Sequence, residues 1–261
     1  AGVDVDIVAG VGPVVAEPIR TRADLDRLPE LTSDAVPYIT ESVRRLVEAL
    51  GPTPLIGFAG APFTLASYLV EGGPSRTHER TKALMHGDPA LWHDLCARLA
   101  QISGAFLRVQ VEAGASAVQL FDSWVGALPR GDYAAYVQEH SAAALSAVAD
   151  LGVPRIHFGV GTGELLALMG QAGAEVVGVD YRVSLTDALA RLQGRYAVQG
   201  NLDPALLFAP ADVLEAKVRA IVAEGRHAPG HIFNLGHGVP PHTDPDVLTR
   251  VVEIVHAASA R

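Results

Sequence analysis

Cysteine is almost absent from this 261-residue sequence, in which Cys96 is the single example. One thiol cannot form an intrachain disulfide, and it cannot supply the two or more thiolates that many zinc sites require. The sequence therefore excludes a scaffold held together by disulfides. The cytoplasm is the compartment that we expect.

Long apolar runs are also missing, because no stretch approaches the ~18–20 residues that a membrane-spanning helix needs. Basic residues are outnumbered as well: 20 Lys and Arg stand against 29 Asp and Glu, which gives a formal net charge of −9. General affinity for nucleic acid or anionic membranes comes from many cationic contacts to phosphates. We therefore expect neither partner.

The chain does contain enough apolar material for one sizeable core. Hydrophobic residues make up 49% of it and charged residues 19%, and its 26 glycines and 17 prolines fit ordinary globular usage. No Ser/Gly-rich linker separates one part from another. We therefore expect a single domain over residues 1–261.

Short runs of Val, Ile, Leu and Phe alternate with amphipathic stretches of helical period, a pattern typical of βα units around a buried parallel sheet. The predicted strands are 54–58, 117–121, 155–159, 176–179, 196–199 and 231–234. The predicted helices are 40–50, 63–71, 88–113, 131–150, 163–172, 184–193, 211–225 and 245–258. Ahead of them we expect a two-stranded excursion within 4–16 and a solvated charged stretch at 20–30.

Two parallel architectures use this alternation, the doubly wound sheet and the (β/α)8 barrel, and both place function at the carboxyl ends of the strands. A dinucleotide-binding sheet is expected to carry Gly-x-Gly-x-x-Gly, and the nearest candidate, at 159–163, lacks the final spacing. We therefore predict an α/β fold of the (β/α)8 TIM-barrel class. A barrel needs eight strands and the sequence predicts six, so two strands are unaccounted for.

Polar or glycine-rich residues follow every predicted strand. These segments are 59–64, 122–124, 159–161, 180–182, 200–204 and 235–238. The segment 59–64 leads into a helix that begins at Pro62. Its small residues have two interpretations: they leave backbone N–H groups free to bind a carboxylate, or they permit a tight turn. One polar strand end is an ordinary loop or cap, whereas several on one face indicate an active site.

Three individual residues at the carboxyl ends of the strands each have more than one interpretation. Tyr68 is either an amphipathic core residue or a hydrogen-bond donor at the mouth of the barrel. A nucleophilic Ser123 would need His237 and either Asp180 or Asp122 as partners, and no Gly-x-Ser-x-Gly turn surrounds it. His237 stands between two glycines, as a turn histidine or as an inward-facing functional group.

The other histidines contain no motif of a metal site. They include neither His-Glu-x-x-His nor His-x-Cys, and most fall on predicted helices or loops away from the strand ends. We expect His157, inside a strand, to be a hydrogen-bonded core residue. No metal ligand is therefore predicted at the strand ends.

Five segments match, in order, the motifs of one enzyme family. The longest, at 57–72, reads Gly-Phe-Ala-Gly-Ala-Pro-Phe-Thr-Leu-Ala-Ser-Tyr-Leu-Val-Glu-Gly. The others are Gln-Leu-Phe-Asp-Ser-Trp at 119–124, Val-Gly-Val-Asp at 177–180, Gln-Gly-Asn-Leu-Asp-Pro at 199–204 and Asn-Leu-Gly-His-Gly at 234–238. Together they resemble the uroporphyrinogen decarboxylase family across essentially the whole chain.

The resemblance implies a (β/α)8 barrel, usually a homodimer, that decarboxylates the four acetate side chains of uroporphyrinogen III to give coproporphyrinogen III in haem biosynthesis. It implies no cofactor and no metal, because a protonated pyrrole ring is itself the electron sink that lets CO₂ leave. By the resemblance, Tyr68, Ser123 and His237 bind substrate. Phe58 and Phe121 resemble the family's apolar wall against the macrocycle.

The family's Arg-rich motif and its later Asp, which sits beneath the pyrrole N–H groups, have no match in this sequence. The opening at 5–13 is similar to the family's segment shortly after that Asp. The resemblance therefore implies that both motifs and the first two barrel strands lie upstream of Ala1. No catalytic residue is therefore assigned within the chain, neither Asp4 nor Asp6 takes that role, and a chain beginning at Ala1 is expected to be inactive.

Two alternatives stay open. One is a related barrel methyltransferase that activates a thiol on zinc, which would be expected to carry His-x-Cys and a distant second Cys. The other is a non-catalytic fragment that binds tetrapyrrole carboxylates.

Overall fold

The strands form two separate sheets in the computed structural model, which describes residues 2–259. The smaller is an antiparallel pair, β1 (Val5–Val8) and β2 (Gly12–Val15), in the place where the sequence predicts an excursion. The larger contains six parallel strands: β3 (Ile56–Gly60), β4 (Ala117–Asp122), β5 (Arg155–Gly159), β6 (Val176–Gly178), β7 (Ala197–Gln199) and β8 (His231–Ile232).

Helices connect successive parallel strands and cover the sheet. They are α1 (Arg22–Leu25), α2 (Pro37–Leu50), α3 (Pro62–Glu71), α4 (Glu79–Gly87), α5 (Pro89–Glu112), α6 (Arg130–Tyr136), α7 (Gln138–Ser146), α8 (Leu166–Gln171), α9 (Leu185–Leu192), α10 (Ala211–Gly225) and α11 (Pro245–Ser259). Within residues 2–259, no helix combines the length and apolar character needed to cross a membrane.

Strand order identifies the architecture. The six strands lie side by side in chain order from β3 to β8, and every pair is parallel. A doubly wound sheet reverses its order at a switch point, whereas a barrel sheet keeps chain order. The described sheet is therefore barrel-like. It is not closed, because β3 and β8 are its two edges.

The core explains why these segments fold as they do. Val118 and Leu120 on β4 have no exposed surface, because helices cover the outer face of the sheet. The longest helix, α5, begins where Asp88 accepts a hydrogen bond from the Leu91 N–H at 3.0 Å, with proline at its first position.

Three sequence predictions need correction. The stretch at 20–30 is not simply solvated: α1 begins there with a capping box between Thr21 and Asp24, and Leu25 and Leu28 are buried in the core. The helix predicted at 131–150 is divided at Val137 into α6 and α7. The strand predicted at 231–234 has two residues, followed by an isolated bridge from Leu202 to Leu235.

Candidate active site

A cavity of about 240 Å³ opens at the carboxyl ends of the parallel strands. Its lining residues are Gln119, Phe121, Phe158, Asn234, Leu235, His237, Gly238 and Val239. The cavity combines aromatic side chains from β4 and β5 with the loop that follows β8. It lies where parallel α/β folds hold their ligands.

One wall of the cavity is a row of phenylalanines. Phe121 and Phe158 are register partners on β4 and β5, and their ring centroids lie 5.9 Å apart in an edge-to-face arrangement. Phe58, on the edge strand β3, contacts Phe121 in the same way at 5.7 Å. Edge-to-face packing fixes the orientation of the rings, and the three side chains together form an apolar surface.

His237 occupies the opposite, polar part of the lining. It is exposed, and a glycine on its N-terminal side holds the loop in place. A Cβ atom at Gly236 would lie 2.3 Å from the backbone nitrogen of Tyr181, so only glycine permits this close approach of the two loops. The His237 imidazole is therefore presented to solvent at the mouth of the cavity.

Two buried amides meet in the interior of the sheet. Gln199 on β7 donates its Nε2 hydrogen to Gln119 Oε1 at 2.9 Å, and both side chains are buried. Because β4 and β7 are not neighbours in the sheet, this bond crosses its concave side. Gln119 also lines the cavity, so the pair supports the site from beneath.

Tyr68 lies on α3 and packs against Trp124, with ring centroids 3.9 Å apart and an interplanar angle of 31°. It lines a second, apolar cavity of about 310 Å³ beside β1, β2 and α5. Burial raises the pKa of the Tyr68 phenol, so the hydroxyl stays protonated near neutral pH. The tyrosine is thus a potential hydrogen-bond donor.

Ser123 follows β4 directly and is half-buried. The turn around it is held by Thr64, whose Oγ1 donates to Asp122 Oδ1 at 2.9 Å and accepts from the Trp124 N–H at 3.2 Å. The Asp122 carboxylate is completely buried, and its Oδ2 lies 3.8 Å from His157 Nε2. Ser123 is therefore positioned by its two neighbours.

Asp180, the other carboxylate considered as a partner for Ser123, is held by its own loops. It accepts hydrogen bonds from the backbone N–H groups of Gly161 and Arg182, and from Arg182 Nη1 at 2.8 Å. None of the hydrogen bonds described for residues 2–259 joins Ser123 to His237. The geometry therefore offers no support for a nucleophilic Ser123.

His157 only partly fits the expected hydrogen-bonded core residue. It is fully buried, and its Nδ1 lies 3.4 Å from the carbonyl oxygen of Met169, a long contact for a hydrogen bond. Its Nε2 has no hydrogen-bond partner among the described residues. The remaining stabilising group is the Asp122 carboxylate described above.

The structure thus brings two of the five predicted site residues, Phe121 and His237, to one cavity, and places Phe58 against Phe121. Tyr68 and Ser123 are outside the lining of that cavity. Sequence reasoning missed Phe158, although its place in register with Phe121 follows from the aligned ends of the strands.

A potential metal-ligand cluster lies elsewhere. The cavity lining contains one histidine and no cysteine or carboxylate. Within the part of the chain that the structure describes, one group of three such side chains converges, and it lies on α5 and α7.

Comparison with known proteins adds a sequence finding to this geometry. A family model described as "Uroporphyrinogen decarboxylase (URO-D)" matches residues 1–258. A uroporphyrinogen decarboxylase from Salinispora tropica is 66% identical over 261 residues, which cover 100% of this chain and 70% of that protein. One from Streptomyces griseus is 66% identical over 260 residues, which cover 100% of this chain and 71% of the relative.

Solved structures support the fold. A methyltransferase from Methanosarcina mazei superposes with a TM-score of 0.80 over 99% of this chain and 76% of its own, at 17% sequence identity. Identity this low relates the two folds and carries no activity from one protein to the other.

Proposed function

The chain belongs to the uroporphyrinogen decarboxylase family, and on that premise we propose that it removes CO₂ from the four acetate side chains of uroporphyrinogen III to give coproporphyrinogen III, a step of haem biosynthesis. The observation that carries the proposal is the 66% identity to a protein of that name across the full length of this chain. The cavity at the strand ends is where the substrate would bind.

The lining of the cavity suits such a substrate. A tetrapyrrole has flat apolar rings with carboxylates around its edge, and the phenylalanine row offers an apolar surface beside the exposed imidazole of His237. Protonation of a pyrrole carbon turns the ring into an electron sink. The bond from the acetate methylene carbon to the carboxylate then breaks, CO₂ leaves, and a second proton is added to the methylene carbon. Loss of the first proton from the ring carbon restores the aromatic pyrrole, so each acetate becomes a methyl group with a net uptake of one proton.

We assign positioning roles to three polar side chains. His237 would bind a propionate or acetate carboxylate, since it is the single titratable side chain in the described lining. Tyr68, protonated because burial raises its pKa, and Ser123 would donate hydrogen bonds near a reacting acetate. These two side chains lie outside the described lining of the cavity.

The chemistry of Cys96 argues against the methyltransferase alternative. A zinc-activated thiol site uses thiolate ligands, whereas Cys96 is completely buried in α5. Burial raises the pKa of this thiol well above its ordinary value and keeps it protonated. Family membership and this inert thiol both favour decarboxylation.

We further propose that the enzyme is a cytoplasmic homodimer that joins through surfaces on the mouth side of the barrel. This rests on the family resemblance and on a single, buried, unpaired cysteine. Sedimentation of the complete gene product across a wide concentration range tests the dimer. A monomer at all concentrations would contradict it.

Activity is tested by incubating the complete gene product anaerobically with uroporphyrinogen III. The products, oxidised to porphyrins, are separated by their number of carboxylates. We expect conversion from eight carboxylates to four, with release of four CO₂ per substrate. Folded protein that binds the substrate without losing carboxylates would instead identify the non-catalytic binding module.

A further inference from the structure

Two histidines and a carboxylate converge on the outer helical layer, away from the cavity. His93 lies on α5, and Glu139 and His140 lie on α7, a helix that packs against α5. None of the three lines the cavity at the strand ends. His140 is buried, His93 is half-buried and Glu139 is exposed, so the cluster opens to solvent on one side.

One atom from each side chain forms the corner of a small triangle. His93 Nδ1 lies 2.9 Å from His140 Nε2 and 2.9 Å from Glu139 Oε1. The third edge, from His140 Nε2 to Glu139 Oε1, is 3.5 Å. All three edges use the same three atoms, so one potential ligand atom from each side chain lies in the same small region of space.

A single hydrogen can join only two of these three atoms, and the exposed Glu139 carboxylate also faces solvent. If His93 Nδ1 carries a hydrogen, that hydrogen is directed along one edge only and cannot serve Glu139 and His140 equally well. If both histidines carry a hydrogen on these atoms, two N–H groups face each other at 2.9 Å. A cation at the centre would contact all three atoms at once.

The dimensions match a zinc-like ion. A tetrahedral ion bonded at ~2.0–2.1 Å to each ligand places those ligand atoms about 3.4 Å apart. The two edges of 2.9 Å would lengthen by about half an ångström, and the edge of 3.5 Å already has this length. Two imidazoles and one carboxylate form a ligand set that zinc uses, with a fourth position left for water. Motif searches miss this set because its members come from two helices far apart in sequence.

We propose that His93, Glu139 and His140 bind one divalent transition-metal ion, for which Zn²⁺ is the probe, and that the ion fastens α7 to α5. The site is structural, because it lies outside the substrate cavity. It is therefore independent of the proposed decarboxylation.

The test titrates Zn²⁺ into tag-free, chelator-stripped protein and follows binding by calorimetry. We expect one Zn²⁺ per chain and a rise in melting temperature on binding. Glu139→Gln changes an exposed side chain and leaves the fold intact, and His93→Ala removes a second ligand. Each should weaken Zn²⁺ binding by roughly tenfold or more and abolish the thermal shift.

Co²⁺ supplies a second readout, since its visible d–d absorption reports on coordination geometry. We expect low-coordinate bands in the parent protein and their loss in His93→Ala. His86→Ala is the matched control, because His86 pairs with Asp132 at 3.3 Å and is outside the triangle. Absence of stoichiometric binding, or equal binding by the parent and His93→Ala, would overturn the proposal.

Discussion

Gln110 forms two hydrogen bonds with the backbone of Phe58: its Oε1 accepts from the Phe58 N–H at 3.0 Å, and its Nε2 donates to the Phe58 carbonyl oxygen at 2.8 Å. Phe58 lies on β3, an edge of the sheet, so a side chain from α5 takes the place of a neighbouring strand at this residue. This contact also fixes the first ring of the phenylalanine row.

We predict that Gln110→Leu lowers the free energy of unfolding by about 1–3 kcal/mol, because it removes two hydrogen bonds to partly buried backbone groups of the edge strand. Urea unfolding measures the change. Gln101→Leu, an exposed position on the same helix, is the matched control and should stay within about 0.5 kcal/mol of the parent. An equal effect of both substitutions would show that the edge contact contributes nothing.

Much of this fold could be predicted from the sequence, because buried parallel strands are short apolar runs with clear boundaries. The strand at 155–159 and the helix at 211–225 have the predicted bounds. The break at Val137 between α6 and α7 could not be predicted, since no proline or glycine marks it. Tertiary packing decides such a break.

The site could be predicted only in part, because some of its contacts depend on tertiary structure. Strand-end positions can be read from the pattern, and they correctly bring Phe121 and His237 together. The bond between Gln119 and Gln199 joins strands that are not adjacent, so its geometry depends on sheet curvature. No periodicity in the sequence encodes curvature.

His78 should make stability depend on pH. It is buried beside Trp124, with ring centroids 5.1 Å apart, and its Nδ1 lies 3.2 Å from Ser67 Oγ. Burial lowers its pKa, so below about pH 6.5 the unfolded chain takes up a proton before the folded one. Stability is therefore fully present above that pH and is lost as pH falls towards the folded-state pKa.

We expect His78→Asn to flatten the pH dependence of unfolding between about pH 7 and pH 5. Asparagine is chosen because it tolerates the left-handed backbone at this residue, where φ is 54°. Urea unfolding in metal-free buffer at several pH values measures the slope. If the free energy of unfolding of the variant depended on pH as steeply as that of the parent, His78 would not be the source of the pH dependence.

The Gln119–Gln199 bond should show strong coupling in a double-mutant cycle. Replacing either glutamine with methionine leaves the other amide buried and unpaired, at a cost of about 1–3 kcal/mol. Replacing both removes the unpaired group, so the double variant should lose less stability than the two single losses added together. Strict additivity in urea unfolding would mean that the two amides do not depend on each other.

Metal removal should leave decarboxylation unchanged. The described cavity lining offers a single imidazole, which is too few ligands for a catalytic metal. Turnover before and after exhaustive dialysis against a chelator should therefore agree, in the parent and in His93→Ala. Loss of turnover restored by Zn²⁺ in both proteins would place a metal in the reaction and favour the methyltransferase alternative.

Substitutions of the three proposed substrate-binding side chains should slow decarboxylation by different amounts, because each removes one positioning hydrogen bond and no covalent step. A loss of about 1–3 kcal/mol corresponds to roughly 5- to 150-fold, so residual turnover should be easy to measure in the complete gene product. His237→Ala should act mainly on KM, since this exposed imidazole lines the cavity where a carboxylate would bind. Tyr68→Phe and Ser123→Ala should act mainly on kcat.

Tyr38→Phe is the matched control for Tyr68→Phe, because Tyr38 is exposed on α2 and its variant should keep parental rates.

The size of the rate loss in Ser123→Ala also distinguishes a positioning role from nucleophilic catalysis. A nucleophile is indispensable to each turnover, so its loss would lower the rate about a millionfold while substrate binding survived. Such a result for Ser123→Ala would show that Ser123 is a nucleophile and not a positioning residue. The structure does not favour this outcome, because Asp122 and Asp180 form hydrogen bonds to other groups. In the proposed chemistry the protonated ring of the substrate is the electron sink, so no side chain acts as a nucleophile. The turnover rate of Ser123→Ala should therefore fall by only about 5- to 150-fold.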